Sequence, residues 1–228
     1  MIFRQIFEPD TSTFTYLVGC SSTRQAALID TVAGEIDGYL ALLDELGLKL
    51  AYTLETHVHA DHITASGRLR ERLGSRSVVH RLGGASCADV LVDEGDHIAV
   101  GELVIEVRHT PGHTQACVSY VMPDRVFTGD ALLIDGCGRT DFQQGDAGQL
   151  YDSIQDRLFT LPPDTLVFPG HDYRGNTQST IGAEREHNAR LGGGKSRQEF
   201  IAIMAELDLA HPRYIDVALP ANQACGQV

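Results

Sequence analysis

The stretch Thr56-His57-Val58-His59-Ala60-Asp61-His62 decides how this chain is read. Three of the ten histidines fall within six consecutive positions of it. It follows the apolar run Leu50–Glu55, whose composition predicts a strand, so the histidines lie on the loop at that strand's C-terminal end. Ligands at i and i+2 on such a loop converge on one point. Asp61 and His62 are expected at the start of the next helix, on a neighbouring face. Imidazole nitrogens and carboxylate oxygens together ligate zinc, iron or manganese. The plain alternative, a polar loop with an N-capping aspartate, does not account for so many ligand-type residues in so short a span.

Three further ligand-type residues recur downstream. His113 lies in Thr110-Pro111-Gly112-His113-Thr114, Asp130 in Thr128-Gly129-Asp130, and His171 in Pro169-Gly170-His171-Asp172. Each follows a predicted strand and sits beside a glycine that permits a tight turn and close backbone approach. Alone, a Gly-Asp pair is a turn and a single histidine is an ordinary polar residue. In series with the first cluster, they describe strand-end loops that each deliver a His or an Asp.

The rest of the chain supplies the strands and helices this requires. Phe14–Val18, Ala26–Asp30, Leu103–Val107, Cys117–Val121, Arg125–Thr128 and Thr165–Phe168 read as strands. Ile36, Tyr39, Leu40, Leu43 and Leu46 have helical spacing, with Gly47 as a C-cap. A second helix is expected from Asp61–His62 to Leu73, stopped by Gly74. Leu150, Ile154 and Leu158 mark a third, Thr177–Arg190 an exposed one, and Ser196 with Glu199 a capping box before another. Gly192-Gly193-Gly194 is a joint and not a phosphate loop, since no strand precedes it. Mixed hairpins and βα steps make this an α/β chain with helices outside packed sheets.

The 228 residues carry 18 Lys+Arg against 31 Asp+Glu, a formal charge of −13, which argues against nucleic-acid and anionic-membrane partners. No targeting signal or membrane span is evident. The five cysteines are odd in number and form no CxxC pair, so they are expected to be reduced thiols in a reducing compartment, the cytoplasm.

The HxHxDH stretch followed by separate His, Asp and His positions resembles the metallo-β-lactamase superfamily over essentially the whole chain. That resemblance implies one domain over residues 1–228, an αββα sandwich of two mixed sheets flanked by helices, with a short C-terminal helical part. In the general pattern, His57, His59 and His113 hold one metal, Asp61, His62 and His171 a second, and Asp130 bridges them. The segment Gly136-Cys137-Gly138-Arg139-Thr140-Asp141-Phe142-Gln143-Gln144, then His171-Asp172-Tyr173, and the tail Pro220-Ala221-Asn222-Gln223-Ala224-Cys225-Gly226 are similar to the persulfide dioxygenases, the family of the ethylmalonic encephalopathy protein.

The narrower resemblance implies that glutathione persulfide is oxidised by O2 to sulfite, releasing glutathione. It also implies one Fe(II) per chain, held by His57, His113 and Asp130, and a homodimer. His59, Asp61, His62 and His171 would then orient ligands or bind water. Two histidines and one carboxylate leave three positions on an octahedral iron, enough for O2 and a persulfide sulfur. Arg139 is implied to hold the glutathione portion, with Tyr173 as hydrogen-bond partner; the competing role for Arg139 is a pairing with Asp141.

Two rival functions are weighed. A hydroxyacylglutathione hydrolase shares the HxHxDH pattern but uses two metals, and the 57 residues after His171 are short for its substrate-binding region. A non-catalytic thiol or metal sensor would need a reactive cysteine in a cationic pocket, and none is evident.

Overall fold

Short apolar runs punctuated by glycines and polar turns build twelve strands among the described residues, 1–227 of this computed structural model. The first six are β1 (Ile2–Glu8), β2 (Thr13–Gly19), β3 (Gln25–Ile29), β4 (Lys49–Leu54), β5 (Arg76–His80) and β6 (Val90–Val92). They form one sheet in sequence order, antiparallel from β1 to β3 and parallel from β3 to β6. The others are β7 (His97–Val100), β8 (Leu103–His109), β9 (Val118–Met122), β10 (Arg125–Gly129), β11 (Leu166–Pro169) and β12 (Ser179–Thr180). Their sheet runs β12-β11-β10-β9-β8-β7, with β10 and β11 parallel. The helices are α1 (Ile36–Glu45), α2 (Ser66–Leu73), α3 (Ala147–Ser153), α4 (Ile181–His187), α5 (Arg197–Ala205) and α6 (Ile215–Gln223).

The chain resolves into two compact units. One comprises residues 1–92, 96–105 and 212–227, the other residues 93–95 and 106–211. In the first, Ile36, Tyr39 and Leu43 of α1 and Leu69 of α2 pack with Leu17, Leu28 and Leu50 of the strands. In the second, Leu150, Ile181, Phe200 and Met204 from α3, α4 and α5 pack with Val121, Val126 and Val167. Burying such side chains is worth about 1.5–3 kcal/mol each, which holds each helix on its sheet. Parallel neighbours bring their C-terminal ends side by side. So β3 and β4 present Asp30 next to the loop that opens at Glu55, and β10 and β11 present Asp130 next to His171.

Several expectations need correction. Cys87 and Cys225 form a disulfide, so not all cysteines are free, and the cysteine pattern does not place the chain in a reducing compartment. Their separation of 138 residues hides the pair from any spacing rule. Cys20, Cys117 and Cys137 are free and buried. Helix α2 starts at Ser66 and not at Asp61–His62. Residues before it are held by partners distant in sequence, Thr64 pairing with Val32 in an isolated bridge. The Thr177–Arg190 segment is not an exposed helix. Only 181–187 is helical, and Ile181, Glu184 and Asn188 are buried, with Glu184 accepting from Ser179 Oγ, Asn188 Nδ2 and the Asp135 amide. The third helix continues from α3 into a π turn over Ile154–Leu158. Helix α6 escapes the pattern because Pro220 lies inside it, β1 and β5 escape because polar residues interrupt them, and β6 escapes because it is only three residues long. The capping box of α5 forms as read.

Candidate active site

In the first unit the loop after β4 is built on buried carboxylates. Asp30, at the end of β3, accepts from the Thr56 amide at 2.7 Å and from Thr56 Oγ1 at 2.8 Å. Thr56 Oγ1 in turn lies 3.0 Å from His57 Nδ1. That contact sets the ring of His57, as a hydrogen bond to one ring nitrogen fixes an imidazole's orientation and tautomer. His59 Nε2 lies 3.1 Å from Asp30 Oδ1 and 3.3 Å from Glu55 Oε2. Burial opposes a charge on His59, but Asp30 and Glu55 outweigh it and raise its pKa well above the ordinary histidine value. His62 Nδ1 is 2.9 Å from Asp61 Oδ2, which also accepts from Thr13 Oγ1 at 3.2 Å. The rings of His57, His59 and His62 follow one another at 4.1 and 4.3 Å between centroids. His59 Nδ1 and His62 Nε2 are buried without a hydrogen-bond partner. Buried polar atoms in that condition are rare and ask for an ion, a water or a ligand. His59, Asp61 and His62 also place ligand atoms within 4.8 Å of one another, as do Asp30, Glu55 and His59.

The second unit gathers the downstream residues. His113 Nδ1 meets the Arg139 carbonyl at 2.7 Å, which turns its Nε2 toward Asp130. That Nε2 lies 3.6 Å from Asp130 Oδ2. The gap is too long for a hydrogen bond, but it is close to the spacing of two atoms that each sit about 2.0–2.2 Å from one ion. The other carboxylate oxygen, Asp130 Oδ1, is 2.7 Å from His171 Nδ1. Two glycines make this approach possible. A Cβ on Gly138 would stand 2.4 Å from the Asp130 carbonyl and 2.8 Å from His113 Nδ1, and one on Gly170 2.7 Å from Asp130 Oδ1. Tyr173 is 72% exposed and its ring stacks on His171 at 6.0 Å.

Arg139 is engaged by its own chain. Nε and Nη2 each donate to an Asp141 carboxylate oxygen at 2.7 Å, Nη1 donates to the Ala210 carbonyl at 2.7 Å, and Nη2 also to the Leu209 carbonyl at 3.3 Å. The guanidinium lies 4.6 Å from the Phe142 ring centre. The Arg139 hydrogen bonds hold the Asp141 carboxyl below its usual range. One Nη1 hydrogen is left for a ligand.

Sequence reasoning missed Asp30, Glu55, Gly138 and Asn222. Asp30 carried a usable signal, because Ile29-Asp30-Thr31 repeats the strand-end acid seen at Asp130. The other three are identified only by what they touch.

Comparison with known proteins places this geometry. A family model described as the metallo-β-lactamase superfamily matches residues 9–171. The human protein named "persulfide dioxygenase ETHE1, mitochondrial" is 51% identical, the match covering 99% of this chain and 89% of the human one. The crystal structure of ETHE1 from Myxococcus xanthus superposes with a TM-score of 0.97 at 57% identity, covering all of both chains. A hydroxyacylglutathione hydrolase of Rhodospirillum rubrum is 38% identical over 70% of this chain and 62% of its own length.

Proposed function

Since this chain belongs to the metallo-β-lactamase superfamily and, within it, to the persulfide dioxygenases, we propose that it oxidises glutathione persulfide at one iron held by His57, His113 and Asp130. The chain is an enzyme, a sulfur dioxygenase; the glutathione portion of the substrate, the iron and its ligand set make up the proposal. One persulfide, one O2 and one water give glutathione, sulfite and two protons. Iron held by two histidines and one carboxylate would supply the oxygen-activating chemistry of non-haem iron oxygenases.

The chain's own residues do the rest. Thr56 and the Arg139 carbonyl hold His57 and His113 by their Nδ1 atoms, and His171 holds one oxygen of Asp130. The observation that carries the reading is the His113 Nε2 to Asp130 Oδ2 spacing of 3.6 Å, a gap suited to a shared ion. A glutathione persulfide is anionic and the protein carries −13, so a local cation must hold it. Arg139, through its remaining Nη1 hydrogen, and the exposed Tyr173 are our assignment for that contact. We assign both compact units to one functional domain.

The hydrolase reading has one specific observation in its favour, the unpartnered buried nitrogens His59 Nδ1 and His62 Nε2, which could take a second metal. Metal analysis of protein purified without added metal separates the two. About one iron per chain is expected, abolished in His57→Ala, His113→Ala and Asp130→Ala and largely retained in His62→Ala and His171→Ala. Two zinc ions per chain with full thioesterase activity would overturn the proposal.

A further inference from the structure

We infer that Asn222, near the end of α6, is a positioning residue for the metal-binding loop. The inference rests on the ligand role proposed for His57. Asn222 is buried, and both hydrogens and the oxygen of its side-chain amide are engaged. Nδ2 donates to the carbonyls of His59 at 2.9 Å and His62 at 2.8 Å, and Oδ1 accepts from the Thr64 amide at 2.8 Å. Those three backbone groups lie in the irregular stretch between β4 and α2, which has no helix of its own to pair them. Buried backbone groups need partners, and here one side chain from the far end of the sequence supplies three.

The chemistry is specific to asparagine. Two donors and an acceptor on one short planar group are required. Aspartate has the shape but lacks the donors, and glutamine has the donors but is one methylene too long. The surrounding backbone is packed for the same purpose. The Gly67 amide donates to the Cys225 carbonyl at 2.8 Å. A Cβ on Gly67 would lie 2.5 Å from that oxygen, and one on Gly226, whose φ is +75°, would lie 2.0 Å from the Thr64 carbonyl. The Cys87–Cys225 disulfide ties down the same turn. Asn222 and Cys225 also line a small cavity with His57, His59, Glu55 and Ser66. The carbonyls of His59 and His62 bracket Ala60 and Asp61, so holding both fixes the curvature of the loop that begins at His57. Without that clamp the imidazoles lose their common direction while the sheets stay intact.

The test is chelator competition for iron on the folded full chain, comparing wild type, Asn222→Asp, His57→Ala and Ala218→Gly. Ala218 is buried one turn earlier in α6, so Ala218→Gly weakens the helix without removing a bond to the loop. Asn222→Asp is expected to bind iron about 10–100-fold more weakly, the usual effect of losing an outer-shell partner. Its cobalt-substituted form should show a changed ligand-field spectrum, while Ala218→Gly keeps both affinity and spectrum. Wild-type iron affinity and cobalt spectrum in Asn222→Asp would overturn the inference, as would equal changes in Ala218→Gly. If Asn222→Asp does not fold, hydrogen exchange on the wild type decides. A Thr64 amide protected as strongly as the amides of α6 supports the clamp, and one that exchanges at open-loop rates overturns it. Iron retained in His57→Ala would instead strike the ligand assignment, so the two failures are distinguishable.

Discussion

Replacing Gly138 by alanine adds one methyl group where the second unit has no room for it. The new Cβ would stand 2.4 Å from the Asp130 carbonyl oxygen, 2.8 Å from His113 Nδ1 and 3.0 Å from Asp130 Cβ. Two of these contacts are shorter than a real Cβ tolerates, and the nearest atom is backbone, which cannot swing away. Something must move by roughly 1 Å to restore an ordinary packed contact. The groups that move are the ones that aim the ligands, because the Gly138 amide donates to the Asp130 carbonyl at 2.7 Å and the next carbonyl, Arg139, holds His113 Nδ1 at 2.7 Å. Overpacking costs about 1–3 kcal/mol, and weakening the two hydrogen bonds adds up to about 0.5–1.5 kcal/mol each. A total of about 2–4 kcal/mol is expected, or roughly 5–15 °C in Tm for a chain of this size. Iron affinity should fall about 10–100-fold in the same variant. The assay is thermal unfolding together with iron content per chain. Gly34→Ala is the control, since a Cβ there has nothing within 4 Å; it should be neutral or stabilising by up to about 1 kcal/mol. A Gly138→Ala protein that matches this control in Tm and iron content would refute the packing account.

Arg139→Ala should lower kcat/KM for glutathione persulfide about 10–150-fold, since a charge-assisted hydrogen bond is worth about 1.5–3 kcal/mol. A small persulfide without the glutathione carboxylates should be nearly indifferent, and equal losses in O2 uptake with both would reduce Arg139 to its bonds with Asp141, Leu209 and Ala210. Cys87→Ser should cost about 2–5 kcal/mol in urea unfolding under oxidising conditions; an unchanged midpoint would mean that the Cys87–Cys225 bond does not form in solution. Burial pushes the Cys137 thiol up to about 11 from an ordinary 9.0, only partly offset by Arg190. A raised acid pKa leaves stability untouched below pH 9 and removes it as pH climbs toward 11, by about 2–3 kcal/mol in all. Cys137→Ala should therefore be less stable at neutral pH yet lose less on going from pH 8 to 10.5, and parallel pH profiles for the two proteins would contradict this.

The sequence by itself determined the parts of the site that chemistry makes conspicuous. A cluster such as His57-Val58-His59-Ala60-Asp61-His62 is too rich in ligand atoms to pass as a loop, and His113, Asp130 and His171 announce themselves by a glycine after a strand. Period-two and period-3.6 patterning marked the buried strands and α1, because alternation of apolar residues is a local consequence of the geometry each element imposes. Tertiary structure decided everything that depends on who meets whom. Asp30 and Asn222 act on the histidine loop from positions 26 and 163 residues away along the chain, and Cys87 finds Cys225 across 138. The start of α2 belongs to the same class. Local propensity favoured a helix from Asp61, but Val32 and Ala33 in the loop after β3 and Asn222 on α6 claim the backbone between His59 and Thr64 first, so the helix begins only where those hydrogen bonds end.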